Sequence, residues 1–315
     1  MTSHGLFSFA LIQAIGLAAI AASRDATETS PTAAPRRQDE ERLLNELLAR
    51  DREYASKLRT ALESRELLAT TLRETLDLES EARDDVDLGF GARLSQARGR
   101  AGTGSLHVRI VVADDGPCDW VVEAQVAFGS GMVVEGVPAC DAFKDTVRAI
   151  FSTPVDERES GFAFDWRDDV RRNALMDRLR DALEGPTVVE PSDASNGLRQ
   201  AVQLLSSPLR ADASVFGVEC GFVSTKLAER QAIEEIVAAG RWDLVRGILR
   251  SLNPEGRTYA AQALIESDQA SPADSRAIRR LCSSDLPIRI CGGGCVIERS
   301  TMANVLFPSG APRAR

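Results

Sequence analysis

Cys291 and Cys295 lie near the end of the chain, separated by three glycines in the sequence ICGGGC. Cysteines at this spacing can exchange disulfides, bind zinc or form a structural disulfide. A thioredoxin-like redox pair has two intervening residues and an activated cysteine at a helix N-terminus, whereas PIRI before Cys291 is typical of a strand. We therefore favour structural disulfides, and a thiol–disulfide pair of Cys291 and Cys295 is the alternative function.

Metal and hydrolytic chemistry are disfavoured by the scarcity of histidine. A structural zinc site takes four cysteine or histidine ligands, and the chain has only His4 and His107 as histidines. The cysteine spacing is not that of a zinc ribbon, and His107 alternates with apolar residues as a solvent-facing strand residue does. A Ser–His–Asp triad also needs a histidine, and no G-x-S-x-G sequence is present. We predict no catalytic, cofactor-binding or metal-binding residue, and no cofactor.

The even number of cysteines fits an oxidising compartment, where such residues usually pair. Cys118 and Cys140 are equally far in sequence from Gly129, so a hairpin turning there would bring them together. The remaining pairing is open. The disulfide candidates are Cys118, Cys140, Cys220, Cys282, Cys291 and Cys295.

The N-terminal sequence predicts export. Residues 6–22, LFSFALIQAIGLAAIAA, are uncharged and end in small residues, which is typical of a secretory signal peptide. We predict a signal peptide over residues 1–22 and a secreted or periplasmic protein. A retained segment would instead anchor the chain in a membrane, facing outside. Residues 23–36 are polar and contain prolines, which predicts a disordered spacer.

A long amphipathic helix is predicted over residues 37–84, which contain neither glycine nor proline. Apolar residues repeat every seven positions in the manner of a coiled coil, interrupted nearby by Asp51 and Arg65. The helix then mediates self-association or binds a protein partner, or it packs on its own domain. The repeating positions are Leu48, Ala55, Leu62, Ala69 and Leu76.

The middle of the chain predicts a small antiparallel sheet with helices over residues 105–224. Residues 85–104 are rich in glycine and arginine and predict a flexible linker. The alternation in SLHVRIVV predicts a strand, and residues 119–128 and 132–137 predict a hairpin around Gly-Ser-Gly. We expect Asp165 to cap a helix, and ASVFGVECGFVST to form a buried strand that carries Cys220.

A helical module is predicted over residues 225–307, followed by a disordered tail over 308–315. Asn253 and Pro254 have the residue types preferred at a helix N-cap and first turn. The sequence WDLVRGILRSLNPEGRTYAAQALIE, residues 242–266, resembles a single HEAT-type helical repeat. The resemblance implies a helix pair used for packing or protein contact and carries no catalytic residues. The matching face consists of Arg257, Ala260, Ala261, Ala263 and Leu264.

The net charge and the aromatic content of the chain bear on its function. The net charge of −9 and the 5% aromatic content argue against nucleic-acid binding, which needs basic or stacking surfaces. We predict an α+β protein with a long N-terminal heptad helix, a small antiparallel β-meander with helices and a C-terminal HEAT-like module. Its expected function is that of an exported, non-enzymatic binding or scaffold protein, or a membrane-tethered one if the first segment is retained.

Overall fold

The computed structural model describes residues 33–63, 79–80, 85–101, 104–114, 119–129, 133–134, 137–158, 161–185, 193–221, 223–291 and 296–308. The predicted signal peptide, most of the spacer, residues 64–78 and 81–84 of the predicted long helix and most of the predicted tail lie outside these ranges. Glu79 and Ser80, which the sequence placed in that helix, form a short strand in the sheet instead, so the prediction is wrong there. The chain divides into two compact units, Met1–Leu47 and Leu48–Arg315. Within the first unit, the helix carries an ion pair between Arg42 and Glu46 at 3.8 Å.

The described helices and strands alternate along the chain. The helices are α1 Ala33–Glu63, α2 Ala139–Phe151, α3 Asp169–Leu183, α4 Asn196–Ser206, α5 Ala228–Ala238, α6 Trp242–Leu249, α7 Pro254–Glu266, α8 Pro272–Cys282 and α9 Met302–Leu306, with a 3-10 turn at Pro208–Arg210. The strands are β1 Glu79–Ser80, β2 Val86–Gly89, β3 Ala92–Ala101, β4 Gly104–Asp114, β5 Asp119–Gly129, β6 Val133–Val134, β7 Val137–Pro138, β8 Asp156–Arg158, β9 Gly161–Arg167, β10 Glu219–Cys220, β11 Thr225–Lys226, β12 Pro287–Cys291 and β13 Ile297–Thr301.

The central sheet is antiparallel and has seven described strands in the order β1-β3-β4-β5-β9-β8, with β2 also paired to β3. The alternation in β4 sets its two faces as predicted. Leu106, Val108 and Ile110 are buried, whereas His107 and Arg109 are partly exposed. The predicted α+β class with an antiparallel sheet is confirmed.

The segment expected to be a flexible linker forms strands β2 and β3 instead. Gly89, Phe90 and Gly91 all have positive φ and reverse the chain between the two strands. The glycines and arginines that suggested a linker serve this turn and the polar positions of β3. Leu94 is buried in the core on one face of the sheet and Ala97 in the core on the other, and this burial holds the segment in the sheet.

The hairpin expected after β5 is not the one observed. Strand β5 pairs with β4 and β9, while β6 pairs with β7 through Val134 and Val137. Cys140 lies in α2, and Cys118 lies outside the described residues. The predicted pairing of Cys118 with Cys140 required a return strand beside β5 over residues 132–137. The described residues of that segment form no such strand beside β5. A sheet-forming segment 30 to 40 residues downstream, β9 at Gly161–Arg167, takes that place beside β5.

One face of the sheet is covered by the part of α1 from Ala55 onward and by α2. Ala55, Leu58 and Leu62 of α1 are fully buried among the apolar residues of β4, β5 and β9, and Val147 of α2 joins the same core. In this part of α1 the predicted apolar stripe thus packs on the domain of its own chain, which was one of the two interpretations.

The other face packs against α3 and the following helices at one end. Leu94, Val111 and Val122 meet Leu175 and Leu179 of α3 there. At this end Val111 pairs with Glu123 and Val112 with Val121, so β5 carries an extra residue, Val122, at a β-bulge that shifts its alternation of faces. Beyond this end the same face is polar.

Two local expectations are corrected. Asp165 lies within β9, and Asp168 caps α3, since its side chain accepts from the backbone N–H groups of Val170 and Arg171. The expected buried strand around Cys220 is the two-residue strand β10, and Val218 beside it is 56% exposed.

Helices α5, α6 and α7 follow one another as predicted. Asn253 caps α7 by accepting from Gly256 N at 3.1 Å, and Pro254 occupies the first turn. Arg250 and Asp274 form a buried ion pair at 2.9 Å that joins α6 to α8. None of the helices described is both long and apolar enough to cross a membrane.

Candidate functional site

One disulfide joins two candidates from the sequence, Cys220 and Cys291, with Cα atoms 5.8 Å apart. Main-chain hydrogen bonds align the two segments beside it. Phe216 N donates to Arg289 O at 2.7 Å, and Cys291 N donates to Phe216 O at 2.9 Å. The disulfide therefore tethers the segment between α4 and α5 to strand β12.

The other cysteines remain separate from this bridge. Cys282 ends α8 as a free, half-buried thiol, and burial raises its pKa to about 11, so the reactive thiolate is scarce at neutral pH. Cys118 and Cys295 lie outside the described residues, and so does the side chain of Cys140. Their pairing stays a prediction, as does redox use of Cys291 and Cys295. No group of three potential metal ligands occurs among the residues that the structure describes.

His107 belongs to a hydrogen-bonded cluster on the polar face of the sheet. Gln96 Nε2 donates to Asp212 Oδ2 at 2.9 Å, and His107 Nε2 lies 3.1 Å from Gln96 Oε1. Because an ionised carboxylate only accepts, the Gln96 amide must face His107 with its oxygen, and His107 Nε2 must carry the hydrogen. Arg109 pairs with the same Asp212 carboxylate at 3.0 Å.

The surroundings of His107 favour the neutral form of its imidazole. Burial lowers the pKa of His107, and Arg109 and Arg98 lower it further, while Asp212 opposes them. The cluster connects the sheet to the turn after the 3-10 helix that carries Asp212. Its hydrogen-bond partner Gln96 is an amide, which is not a nucleophile.

Two further ionisable residues tie α7 to neighbouring strands. Glu255 Oε1 accepts from Arg289 N at 2.9 Å, and Arg257 Nη1 donates to Leu88 O at 2.9 Å. Burial raises the pKa of Glu255 to about 7 and lowers that of Arg257 to about 9. The side chains are 1% and 0% exposed, so they act on stability rather than on an external substrate.

Helices α5 and α7 enclose a groove with a volume of about 210 Å³. Each helix contributes residues at the spacing i, i+3, i+4, i+7, i+8, which places them on one face. Those from α5 are Arg230, Ile233, Glu234, Val237 and Ala238. Those from α7 and its cap are Tyr259, Gln262, Ala263, Glu266 and Ser267.

The groove has an apolar floor and a polar rim. Arg230 donates to Glu234 Oε1 at 2.8 Å and to Gln262 Oε1 at 3.3 Å, and Gln262 donates to Glu266 Oε1 at 2.8 Å. Lys226 also bonds to Glu234, and these hydrogen bonds lower the pKa of Glu234. The rim is thus a continuous chain of hydrogen bonds that bridges the two helices.

Tyr259 connects the groove to the disulfide-bearing segment. Its ring lies 4.6 Å from that of Phe216, and its hydroxyl accepts from Gly217 N at 2.9 Å. The hydroxyl oxygen also lies 3.0 Å from Val215 O and 2.8 Å from Gly217 O, to either of which it can donate. The floor of the groove is therefore held by the same segment that Cys220 fastens to β12.

Compared with known proteins, the chain matches no family model, no curated protein and no solved structure. The sequence interpretation placed α5 and α7 as helices but did not identify the groove residues. The available signal was the shared spacing of polar and apolar residues on the two helices, with the small Ala238 and Ala263 where larger side chains would fill the space.

Proposed function

We propose that the chain is an exported, non-enzymatic binding protein and that the α5–α7 groove is its contact surface for a polypeptide partner. The groove itself carries the proposal. Sites for small-molecule ligands and cofactors usually have roughly 300–1,000 Å³. A volume of about 210 Å³ with an apolar floor suits a single side chain presented by a larger partner.

Rigidity of the groove supports a binding role. Arg250, directly after α6, donates to Leu183 O at 3.2 Å and pairs with Asp274 of α8, so the helix between α5 and α7 is anchored on both sides. Tyr259 is anchored to the segment that the disulfide closes. A preformed surface loses little conformational entropy on binding, which favours recognition by fixed side chains.

Export is supported by the disulfide and by the N-terminal sequence. Disulfides such as Cys220–Cys291 persist in oxidising compartments and are rare where thiols are kept reduced. The HEAT-type resemblance of residues 242–266 is compatible with a protein-contact role for α6 and α7. The heptad positions Ala55 and Leu62 and the neighbouring Leu58 are buried in the chain itself, so the proposal places the partner on the helical module.

Site-specific photo-crosslinking tests the contact surface. A photoreactive residue at Ala238 is expected to give a discrete adduct in the native compartment, and Ala263→Leu in the same chain should abolish it by filling the groove. A photoreactive residue at Val170, which is 81% exposed and distant in sequence, is the matched control. The absence of an adduct from position 238, or the same adducts from both positions, would contradict the proposal.

Thiol alkylation with and without prior reduction tests the compartment. In protein recovered from cells, Cys220 and Cys291 should be protected until reduction, and Cys282 should react only after unfolding. N-terminal sequencing of the same material separates a cleaved signal from a retained anchor. Labelling of Cys291 and Cys295 in unreduced, folded protein would instead favour thiol–disulfide chemistry and would overturn the structural interpretation of the bridge.

A further inference from the structure

The two ends of the α5–α7 groove differ in charge. At one end Arg230 is offset by Glu234 at 2.8 Å. At the other end the carboxylate of Glu266 accepts from Gln262, a neutral amide, so no ion pair offsets its charge among the residues that the structure describes. Two acidic groups thus face the rim, and only Glu234 is neutralised by neighbouring cations.

Helix polarity adds to the negative end. Helix α5 ends at Ala238 and α7 ends at Glu266, and both residues line the groove. The carboxyl end of a helix carries partial negative charge that favours a cation nearby. Two helix ends and one carboxylate therefore make the same end of the groove attractive to positive charge.

The floor between the two ends is apolar. Ile233 and Val237 line it from α5, and Tyr259 and Ala263 line it from α7. Lysine and arginine side chains have an apolar stem that covers hydrophobic surface and a charged head that stays at the edge. We infer that the groove holds a lysine or arginine side chain of a partner polypeptide, with its stem over this floor and its cation beside Glu266. This inference rests on the proposed function and names the chemistry of its partner.

Two capped amino acids that differ only in the cation provide the probes. Nα-acetyl-lysine methylamide and Nα-acetyl-norleucine methylamide share the apolar stem, and only the first carries an ammonium group. Both are titrated into the isotopically labelled full chain at low and high salt, and the backbone amides of Ala238, Ala263 and Glu266 are followed by NMR. The lysine probe should bind about threefold to tenfold more tightly than the norleucine probe at low salt, and less so at high salt.

Two variants test separately the contribution of the Glu266 charge and that of the space in the groove. Glu266→Gln should weaken binding of the lysine probe about twofold to fivefold and leave the norleucine probe unchanged, since it removes the charge but keeps a hydrogen-bonding side chain. Ala263→Leu should abolish binding of both. Glu298→Gln, on an exposed residue of β13, is the matched control and should change neither.

The outcomes distinguish the two proposals. Equal affinity for the two probes, or a Glu266→Gln variant that retains the preference for lysine, overturns the inferred basic side chain and leaves the groove as a peptide contact. If neither probe perturbs the groove amides, both proposals are overturned. If Ala263→Leu does not fold, Glu266→Gln at the exposed rim still decides the charge preference.

Discussion

Replacement of Glu255 by glutamine is expected to remove a large part of the pH dependence of folding. Glu255 lies in the first turn of α7, is 1% exposed, and accepts from Arg289 N at 2.9 Å. Its second carboxylate oxygen is buried and has no hydrogen-bond partner within the described residues. Burial is the main cause that raises its pKa to about 7, and the charge of Glu229 acts in the same direction, while Arg289 opposes both.

The sign and size of the effect follow from this pKa. Between the ordinary value of 4.5 and about 7, the folded chain holds a proton on Glu255 that the unfolded chain has released. The free energy of unfolding therefore falls as the pH rises through this range and levels off above it. At roughly 1.4 kcal/mol per pH unit, the total loss is about 3 kcal/mol. Glu255→Gln should thus match the parent below this range and exceed it by about 3 kcal/mol at pH ~8.

Urea unfolding of both proteins at a series of pH values measures this difference. The pKa of His107 is lowered by burial and can add its own pH dependence, so the comparison between parent and variant matters more than either curve alone. Glu298→Gln, at an exposed position, is the control and should follow the parent at every pH. Parallel curves for the parent and Glu255→Gln between pH ~4.5 and ~7 would refute the assignment of a buried, protonated carboxyl group.

Two further predictions concern the bridge and the first helix. Replacing both Cys220 and Cys291 by serine should lower the free energy of unfolding by about 4 kcal/mol, because the bridge closes a loop with a sequence separation of 71. Cys282→Ala, at a free cysteine, is the control. An unchanged urea midpoint in the double variant would contradict the stabilising role of the bridge. Leu58→Ala should lower the free energy of unfolding by about 3 kcal/mol at every protein concentration, since Leu58 is fully buried against the sheet of its own chain. Thr60→Ala, at an exposed position, is the control and should change the free energy of unfolding little. A loss of stability that depends on protein concentration would indicate that Leu58 packs between two chains instead.

The spacing of apolar and capping residues correctly predicted those strands and helices whose form depends on residues close together in the sequence. The alternation around His107 set the two faces of β4, and the Asn253–Pro254 pair marked the start of α7, because strand pleat and helix capping depend on near neighbours. Composition was misleading for residues 85–104. Their glycines and arginines resemble a linker, yet the β3–β4 ladder from Ala92 to Ala101 holds them in the sheet.

Sequence alone determined the α+β fold class, helices α5 to α7 and the candidate cysteines, since these follow from composition, capping and spacing. Only the tertiary structure decided that Cys220 meets Cys291, that β9 rather than the next segment pairs with β5, and that α5 and α7 enclose a groove. These contacts join residues far apart in the chain. Their free energy depends on which surfaces are buried together, and no local pattern encodes that choice.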